Sequence, residues 1–390
     1  MYKILTMNEI AQRGLDEFPK ERFTISDAEQ NPDGILIRSQ GLEVLPASLK
    51  AIARAGSVVS NIPVENCAKK GIVVFNTPGA NAISVKELVL AGLFLSSRDI
   101  VGGIEWTKII AKEGHINLPE FVYKNNTIFA GPEVSGKTLG VVGLGAIGVL
   151  VANVCRNLGM RVIGYDPYIS IDAAWNLSRG VRKADDLDAI LPECDYLTAH
   201  IPFNMETKGM FNSDIFAKCK KGVRMLNFSH AKIVESSDLK KAIKAGIISR
   251  YVTDFPTEEI VNSEFGVDKI VALPNLGATT PESRENCAAM ASSQLREYLL
   301  YGNIKNSVNF PDCEIPYIGK KRICIIHRNV AKVVGPITGI FADRDINIDN
   351  MLNRSGGEYS YTMLDVDCDN IMGIEEELLK IPNIIKVRVI

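Results

Sequence analysis

No stretch of this sequence stays apolar long enough to cross a bilayer. The longest apolar run, Leu88–Leu95, is less than half of the roughly 20 residues a membrane helix needs. A basic excess is also missing: 44 lysines and arginines face 46 acidic residues, for a net charge of −2, which excludes the electrostatic footprint of a nucleic-acid-binding chain. The eight cysteines (67, 155, 194, 219, 287, 313, 324 and 368) form no CxxC pair and have no histidine-rich companion spacing, so no metal site is expected. Reduced, mostly buried thiols are expected of them, not reactive thiolates. The opening Met1-Tyr2-Lys3-Ile4 reads as the start of a strand and not as a leader peptide, which points to the cytoplasm.

What is present is the composition of an ordinary globular protein, 46% hydrophobic and 23% charged, in a chain long enough for two or three cores. Strand-like runs at Gly34–Arg38 and Gly71–Phe75 alternate with helical ones at Ala47–Ala55 and Ser84–Arg98, the pattern of a parallel sheet with crossover helices. A polar stretch from His115 to Gly136 shows no clear period. Thr138–Val142 then opens a second series, with strands expected at Arg161–Tyr165, Tyr196–Ile201, Val223–Asn227, Tyr251–Asp254 and Ile270–Leu273. One long helical pattern covers Pro281–Tyr301, and the breakers Gly302, Asn303, Asn309, Pro311, Pro316 and Gly319 follow it as a linker. From Lys321 to Ile390 the order is strand, helix, strand, strand, helix, strand, a small ferredoxin-like α+β unit.

Leu139-Gly-Val-Val-Gly143-Leu-Gly145-Ala146-Ile147-Gly148 places GxGxxG directly after a strand and at the start of a helix. Gly143 permits the tight turn, Gly145 lets backbone approach a pyrophosphate, and Gly148 lets helix and strand pack closely, while the helix N-terminus offers free N–H groups to phosphate. A glycine-rich structural turn would look the same by itself. However, Asp166 ends the next strand eighteen residues beyond Gly148, where a ribose-binding carboxylate belongs. No arginine follows in Pro167-Tyr168-Ile169 to accept a 2′-phosphate, so NAD is favoured over NADP.

At this point the chain resembles the D-2-hydroxyacid dehydrogenase family, and within it the phosphoglycerate dehydrogenases of serine biosynthesis that carry a C-terminal ACT domain. The residues that carry the likeness are Asn76-Thr-Pro-Gly-Ala80 with Val85-Lys-Glu-Leu88, the glycine turn with Tyr165-Asp-Pro167, His200-Ile-Pro202 with Thr207-Lys-Gly-Met210, Asn227-Phe228, Thr253-Asp-Phe-Pro-Thr-Glu258 and Leu273-Pro-Asn-Leu-Gly-Ala-Thr-Thr-Pro281. The resemblance implies two doubly wound Rossmann-like domains plus an ACT domain. Residues 1–98 and the return helix 283–310 would bind substrate, 99–282 NAD, 311–320 would be the linker, and 321–390 regulatory. Chemistry would take place in a cleft on a small anionic 2-hydroxy or 2-keto acid, in a homodimer or homotetramer. His200, Pro202 and Asp254 would line the cofactor side. Arg38 and Arg54 would bind a distal phosphate, with Asn61 beside them; each arginine reads equally well as a surface cation.

Three positions depart from the family. Its proton-accepting histidine falls on Asn275, an amide that cannot serve as a general base near neutral pH. Its substrate-gripping arginine falls on His230, while Glu258 matches its glutamate. Val58 and Ser60 replace a glycine and an Asp or Asn in the substrate loop, and Val58 would crowd the amides there. His230 reads three ways: a weak stand-in for the arginine, a relocated acid–base group paired with Glu258, or a replacement tolerated because catalysis is lost. Lys232 is a new cation nearby. In the ACT-like unit, His327, Asn329 and Asn347 match positions that hold serine, which implies L-serine as effector; an oligomer contact is the plainer alternative. The resulting reading is an NAD-dependent 2-hydroxyacid oxidoreductase with a shifted substrate or proton path, set against a catalytically silent NAD- and amino-acid-binding paralogue.

Overall fold

The computed structural model describes residues 1–114, 117–318, 321–368 and 371–390. His115 and the last two linker residues, Gly319 and Lys320, lie outside the described residues. The chain forms two compact units, Met1–Ala80 with Pro281–Ile390, and Asn81–Thr280.

The first unit carries a parallel sheet in the order β2-β1-β3-β4-β5, made of β1 (Tyr2–Met7), β2 (Phe23–Ser26), β3 (Gly34–Ile37), β4 (Ala51–Arg54) and β5 (Val73–Phe75). This is a doubly wound order whose switch point lies between β1 and β3. All four residues of β3 are buried, because a central parallel strand is covered on both faces and reads as a continuous apolar run. The helix expected at Ala47–Ala55 is instead strand β4, paired in parallel with β3 and β5; alanine's helical propensity is a weak preference that a fully buried sheet position overrides. The long helix Pro281–Tyr301 covers one face, packing Ala291, Leu295, Tyr298 and Leu299 against Ile4, Leu36, Ala53 and Phe75.

The same unit holds the antiparallel sheet β14-β15-β13-β16, built from β13 (Lys321–Arg328), β14 (Ile348–Gly356), β15 (Tyr359–Val366) and β16 (Ile384–Val389). Alternate residues of β13 part to opposite sides. Ile323 and Ile325 meet the helices Val334–Asp343 and Ile374–Leu379, whereas Cys324 and Ile326, with Tyr361 and Met363, join the core under the long helix. The described part of the segment read as a linker is tied down: Cys313 is buried and exchanges backbone hydrogen bonds with Ile304. Arg322, fully buried against Asp365, also donates to the carbonyls of Tyr301, Ile315 and Pro316.

The second unit is a seven-stranded parallel sheet, β12-β11-β10-β9-β6-β7-β8. Its strands are β6 (Thr138–Val142), β7 (Arg161–Tyr165), β8 (Arg182–Lys183), β9 (Tyr196–Ala199), β10 (Val223–Asn227), β11 (Ile248–Thr253) and β12 (Ile270–Ala272). The switch point falls between β6 and β9, at whose carboxyl ends ligands bind in such sheets. The stretch with no clear period contains the helix Leu118–Asn125 and a single 3-10 turn, Asn126–Phe129. Among the described residues no helix is long and apolar enough to cross a membrane, and no cluster of ligating side chains could hold a metal ion.

Candidate functional site

At the end of β6, Gly143 adopts φ +90°, and a Cβ there would stand 2.5 Å from the His200 carbonyl oxygen. A Cβ on Gly148 would stand 2.0 Å from the carbonyl oxygen of Gly143. Both glycines are therefore demanded by the protein's own packing. Gly145 differs. It has an ordinary φ of −74° and nothing within 4 Å of a Cβ, so the protein's own packing does not require a glycine there. Gly145 is also the N-cap of the helix Ala146–Asn157 and supplies no side chain to it, which leaves the first amides, including those of Ala146 and Ile147, free for an anion.

Asp166 ties this turn to the next strand. One carboxylate oxygen accepts the Leu144 amide at 2.8 Å, the other the Tyr168 amide at 2.8 Å. Each oxygen keeps a second lone pair for a ribose hydroxyl. His200, one residue past β9, shares a 3.0 Å hydrogen bond between its Nε2 and the Thr198 hydroxyl, while burial lowers its pKa to about 3. It is a neutral ring at physiological pH. Pro202 follows it and is exposed.

Asn227, fully buried at the end of β10, builds the turn that presents His230. Its Oδ1 accepts the amides of Ser229 and His230, and its Nδ2 donates to the His230 carbonyl and to the Tyr251 hydroxyl. Ser229 donates to the Ala199 carbonyl and accepts the Ile201 amide, joining this turn to the end of β9. The His230 ring stacks on Phe203 at 4.5 Å and 14° and is tilted to Phe255 at 6.0 Å. Its Nδ1 accepts the Lys232 amide. Because that partner can only donate, the neutral ring carries its proton on Nε2. Burial and the neighbouring Lys232 charge lower its pKa. Among the described residues no hydrogen bond or ion pair joins His230 to Glu258, which is exposed at the start of the helix Glu258–Val261.

Asn275 is exposed and sits at φ +57°, a left-handed conformation that asparagine tolerates better than most residues. The turn around it is fixed by Asp254, whose two oxygens accept the Leu276 and Gly277 amides at 2.7 Å each. Burial raises the Asp254 pKa although these amides oppose the shift. Asp254, expected on the cofactor side, thus already uses both oxygens to brace the loop bearing Asn275.

Within the first unit, Arg54 at the end of β4 donates from Nε to Asn61 Oδ1 at 3.1 Å, and Asn61 in turn donates to the Gln40 carbonyl at 2.7 Å. Burial lowers the Arg54 pKa, opposed by Cys287, with Arg38 adding to the shift. The nearby Arg38 follows β3. Neither guanidinium forms an ion pair with a described carboxylate, and the two cations lie at the ends of neighbouring strands, β3 and β4. The Val58 side chain is 59% exposed, so its crowding would be felt only by a bound ligand.

Of the expected effector residues, His327 is interior: Nδ1 meets the Arg328 carbonyl at 2.8 Å and Nε2 the Thr362 hydroxyl at 3.0 Å. Asn329 donates to the Gly357 carbonyl and Asn347 to Asp349, and both are exposed. All eight cysteines are free, and burial pushes Cys155 up to about 12 and Cys67 up to about 11, which leaves them inert thiols. Sequence reasoning missed Phe203 and Phe255. They directly follow His-Ile-Pro202 and Asp254, and their positions beside two strand ends were the available signal.

Residues 107–280 match the D-isomer-specific 2-hydroxyacid dehydrogenase NAD-binding domain. The D-3-phosphoglycerate dehydrogenase of Pongo abelii is 34% identical over 287 residues, covering 72% of this chain and 51% of that protein. The enzyme of the same name from Synechocystis is 31% identical over 362 residues, 88% of this chain and 63% of the relative. The chain thus spans about half the length of the first of these curated relatives. Among solved structures, NAD+-bound 3-phosphoglycerate dehydrogenase from Entamoeba histolytica superposes with a TM-score of 0.60 at 24% identity, over 79% of this chain and 98% of that one. D-mandelate dehydrogenase from Rhodotorula graminis gives a TM-score of 0.65 at 18% identity, over 81% and 99%; such likenesses speak for the fold. Residues 107–280 thus resemble the NAD-binding domain of the D-isomer-specific 2-hydroxyacid dehydrogenases, and curated relatives at 31–34% identity are D-3-phosphoglycerate dehydrogenases.

Proposed function

We propose that this chain is a cytoplasmic NAD-dependent oxidoreductase of small anionic 2-hydroxy or 2-keto acids, related to the phosphoglycerate dehydrogenases of serine biosynthesis. The observation that carries this reading is Gly145, the one glycine of the turn that the protein's own packing does not need. The amides from Gly145 to Gly148 would hold the pyrophosphate and Asp166 the ribose, with His200, Pro202 and Asp254 along the cofactor side. Bound NAD supplies the carbon that accepts hydride. Arg38 and Arg54, with Asn61 orienting the latter, suit a distal phosphate or carboxylate on the substrate.

The proton path differs from that of the family. Asn275 has no group that titrates near neutral pH and so cannot act as a general base, and Nε2 of His230 already carries a proton. His230 is then suited to donate a hydrogen bond to the substrate, not to remove a proton from it, and Glu258 is the titratable group left from the family's set. General acid–base help is worth ~10²–10⁴-fold in rate, so 3-phosphoglycerate oxidation should be slow by that factor. Exposed Ile104, Ile109 and Ile128, at 52%, 57% and 69%, favour self-association into a homodimer or homotetramer. L-serine is the proposed effector of the C-terminal sheet, through the exposed Asn329 and Asn347, with His327 bracing β13 from within. Serine should then raise the thermal midpoint and Asn347→Ala should abolish the rise; no shift in the parent protein would leave that sheet as an assembly contact.

The experiment for the enzyme reading is an NAD reduction and NADH oxidation panel over 2-hydroxy and 2-keto acids. Asn275→His with His230→Arg should raise kcat/KM for 3-phosphoglycerate by more than either change alone. NADH binding with no turnover on any acid would make the chain a silent binding paralogue instead.

A further inference from the structure

The arginine that family members use to grip the substrate is absent, yet the turn after β10 is not without a cation. Lys232 lies two residues beyond His230, and both side chains are organised by one aromatic ring. His230 stacks on Phe203, and the Lys232 ammonium stands 5.6 Å from the centre of the same ring. The Lys232 backbone is held at both ends, its amide by His230 Nδ1 and its carbonyl by the Gly209 amide. Its ammonium forms no ion pair with any described carboxylate, whereas elsewhere in the same unit Lys218 pairs with Asp188, Lys220 with Asp195 and Lys241 with Asp238. The amide that fixes His230 Nδ1 as an acceptor leaves Nε2–H directed away from the turn as a donor. All of this lies at the carboxyl end of the parallel sheet, on the strand next to the switch-point strand β9.

Resting on the oxidoreductase reading, we propose that Lys232 and His230 together form a two-donor clamp for the carboxylate of a 2-keto or 2-hydroxy acid, replacing the missing arginine fork. Lys232 supplies the charge, His230 Nε2–H supplies a directed neutral hydrogen bond, and Phe203 sets the spacing of the two. An arginine offers both in one rigid plane; here the plane is the stacked imidazole and the charge is a separate point on a flexible stem. Such a clamp holds a carboxylate with less geometric precision, which suits compact acids with little else to orient.

The test is calorimetric titration of oxamate, an unreactive carboxylate with the shape of a small 2-keto acid, into the full chain with and without saturating NADH. The parent binds oxamate. Lys232→Ala should weaken this by about tenfold or more, the scale of a lost charge-assisted hydrogen bond, and His230→Phe, which keeps the stack but removes the donor, should also weaken it. Lys232→Arg should retain affinity within about threefold, since the charge persists. Affinity for NADH should be the same in all three variants, which shows the fold intact. Oxamate binding unchanged in Lys232→Ala, or no oxamate binding by the parent in either titration, overturns the clamp. The underlying reading fails separately: oxamate captured by Lys232 in a chain that consumes no NADH with any 2-keto acid keeps the clamp and removes the catalyst.

Discussion

Gly145 and Gly148 look alike in the sequence and do different work in the structure. Gly148→Ala places a Cβ 2.0 Å from a backbone oxygen that cannot step aside; overpacking of this kind costs about 1–3 kcal/mol or more, and thermal unfolding should show it. Gly145→Ala meets open space, so stability should stay within roughly 0.5 kcal/mol of the parent while NADH affinity falls at least about tenfold. Equal loss of stability in both would mean that the turn is merely structural. Asp166→Asn should keep the acceptor that braces Leu144 but remove the charge that repels a 2′-phosphate, narrowing the preference for NADH over NADPH when both are titrated by calorimetry. At this scale the sequence was most legible where chemistry depends on spacing along the chain: the glycine turn and its Asp166 stand where spacing alone put them. It was least legible where side chains from separate strands converge. The sandwich of Phe203, His230 and Phe255, the fixed tautomer of His230, and the use of both Asp254 oxygens by the Asn275 turn depend on which strand ends lie side by side, and no local pattern encodes that.

Strands and helices followed from periodicity wherever burial and propensity agree. Thr138–Val142, Arg161–Tyr165, Val223–Asn227 and the helix Pro281–Tyr301 are where the pattern put them. Propensity failed at Ala51–Arg54, an alanine-bearing strand whose form is imposed by two neighbours in the sheet, and the short edge strands Phe23–Ser26 and Arg182–Lys183 gave too little pattern to read. The end of the long helix shows an element finished by distant parts of the chain. Arg388 donates to the carbonyls of Tyr298 and Leu299, and Arg322 to that of Tyr301; the Tyr298 carbonyl also accepts the Gly302 amide, and last-turn acceptors of this kind are well satisfied by a positive side chain. Arg322→Met strands the Asp365 carboxylate, which is 1% exposed, and should cost about 3–5 kcal/mol. Adding Asp365→Leu should recover much of that loss in chemical denaturation, since two matched apolar side chains remove the uncompensated charge. A double variant no more stable than the single would show that the carbonyl contacts of Arg322, not its ion pair, carry the effect.

On the scale of the whole molecule, the C-terminal sheet is part of the unit that holds the β1–β5 sheet, because Cys324, Ile326, Tyr361 and Met363 share its core. Calorimetry should accordingly resolve no separate transition for residues 321–390. A pH signature accompanies this packing. Lys386 on β16 donates to the Leu49 carbonyl, and burial, with Arg388 and Lys50 adding, lowers its pKa from 10.5 to about 8. Between those values the unfolded chain binds the proton more tightly than the folded one, so stability rises as pH climbs from about 8 towards 10.5. Lys386→Met, which carries no proton, should flatten that rise relative to the parent; identical profiles would mean that the amine is solvated. The broad plan of two α/β units was legible from alternating periods, whereas the joining of the C-terminal sheet to the first of them was not, since it depends on one strand face whose alternate residues look like any amphipathic strand.

The measurement that bears most directly on the central claim is NADH consumption by the full chain against a panel of compact anionic 2-keto acids, 3-phosphohydroxypyruvate included, run in parallel with NADPH. Turnover of NADH with at least one acid is expected, slower than an intact histidine site would give, with clearly weaker use of NADPH. Tight NADH binding with no consumption on any acid, or equal use of the two cofactors, would contradict that claim.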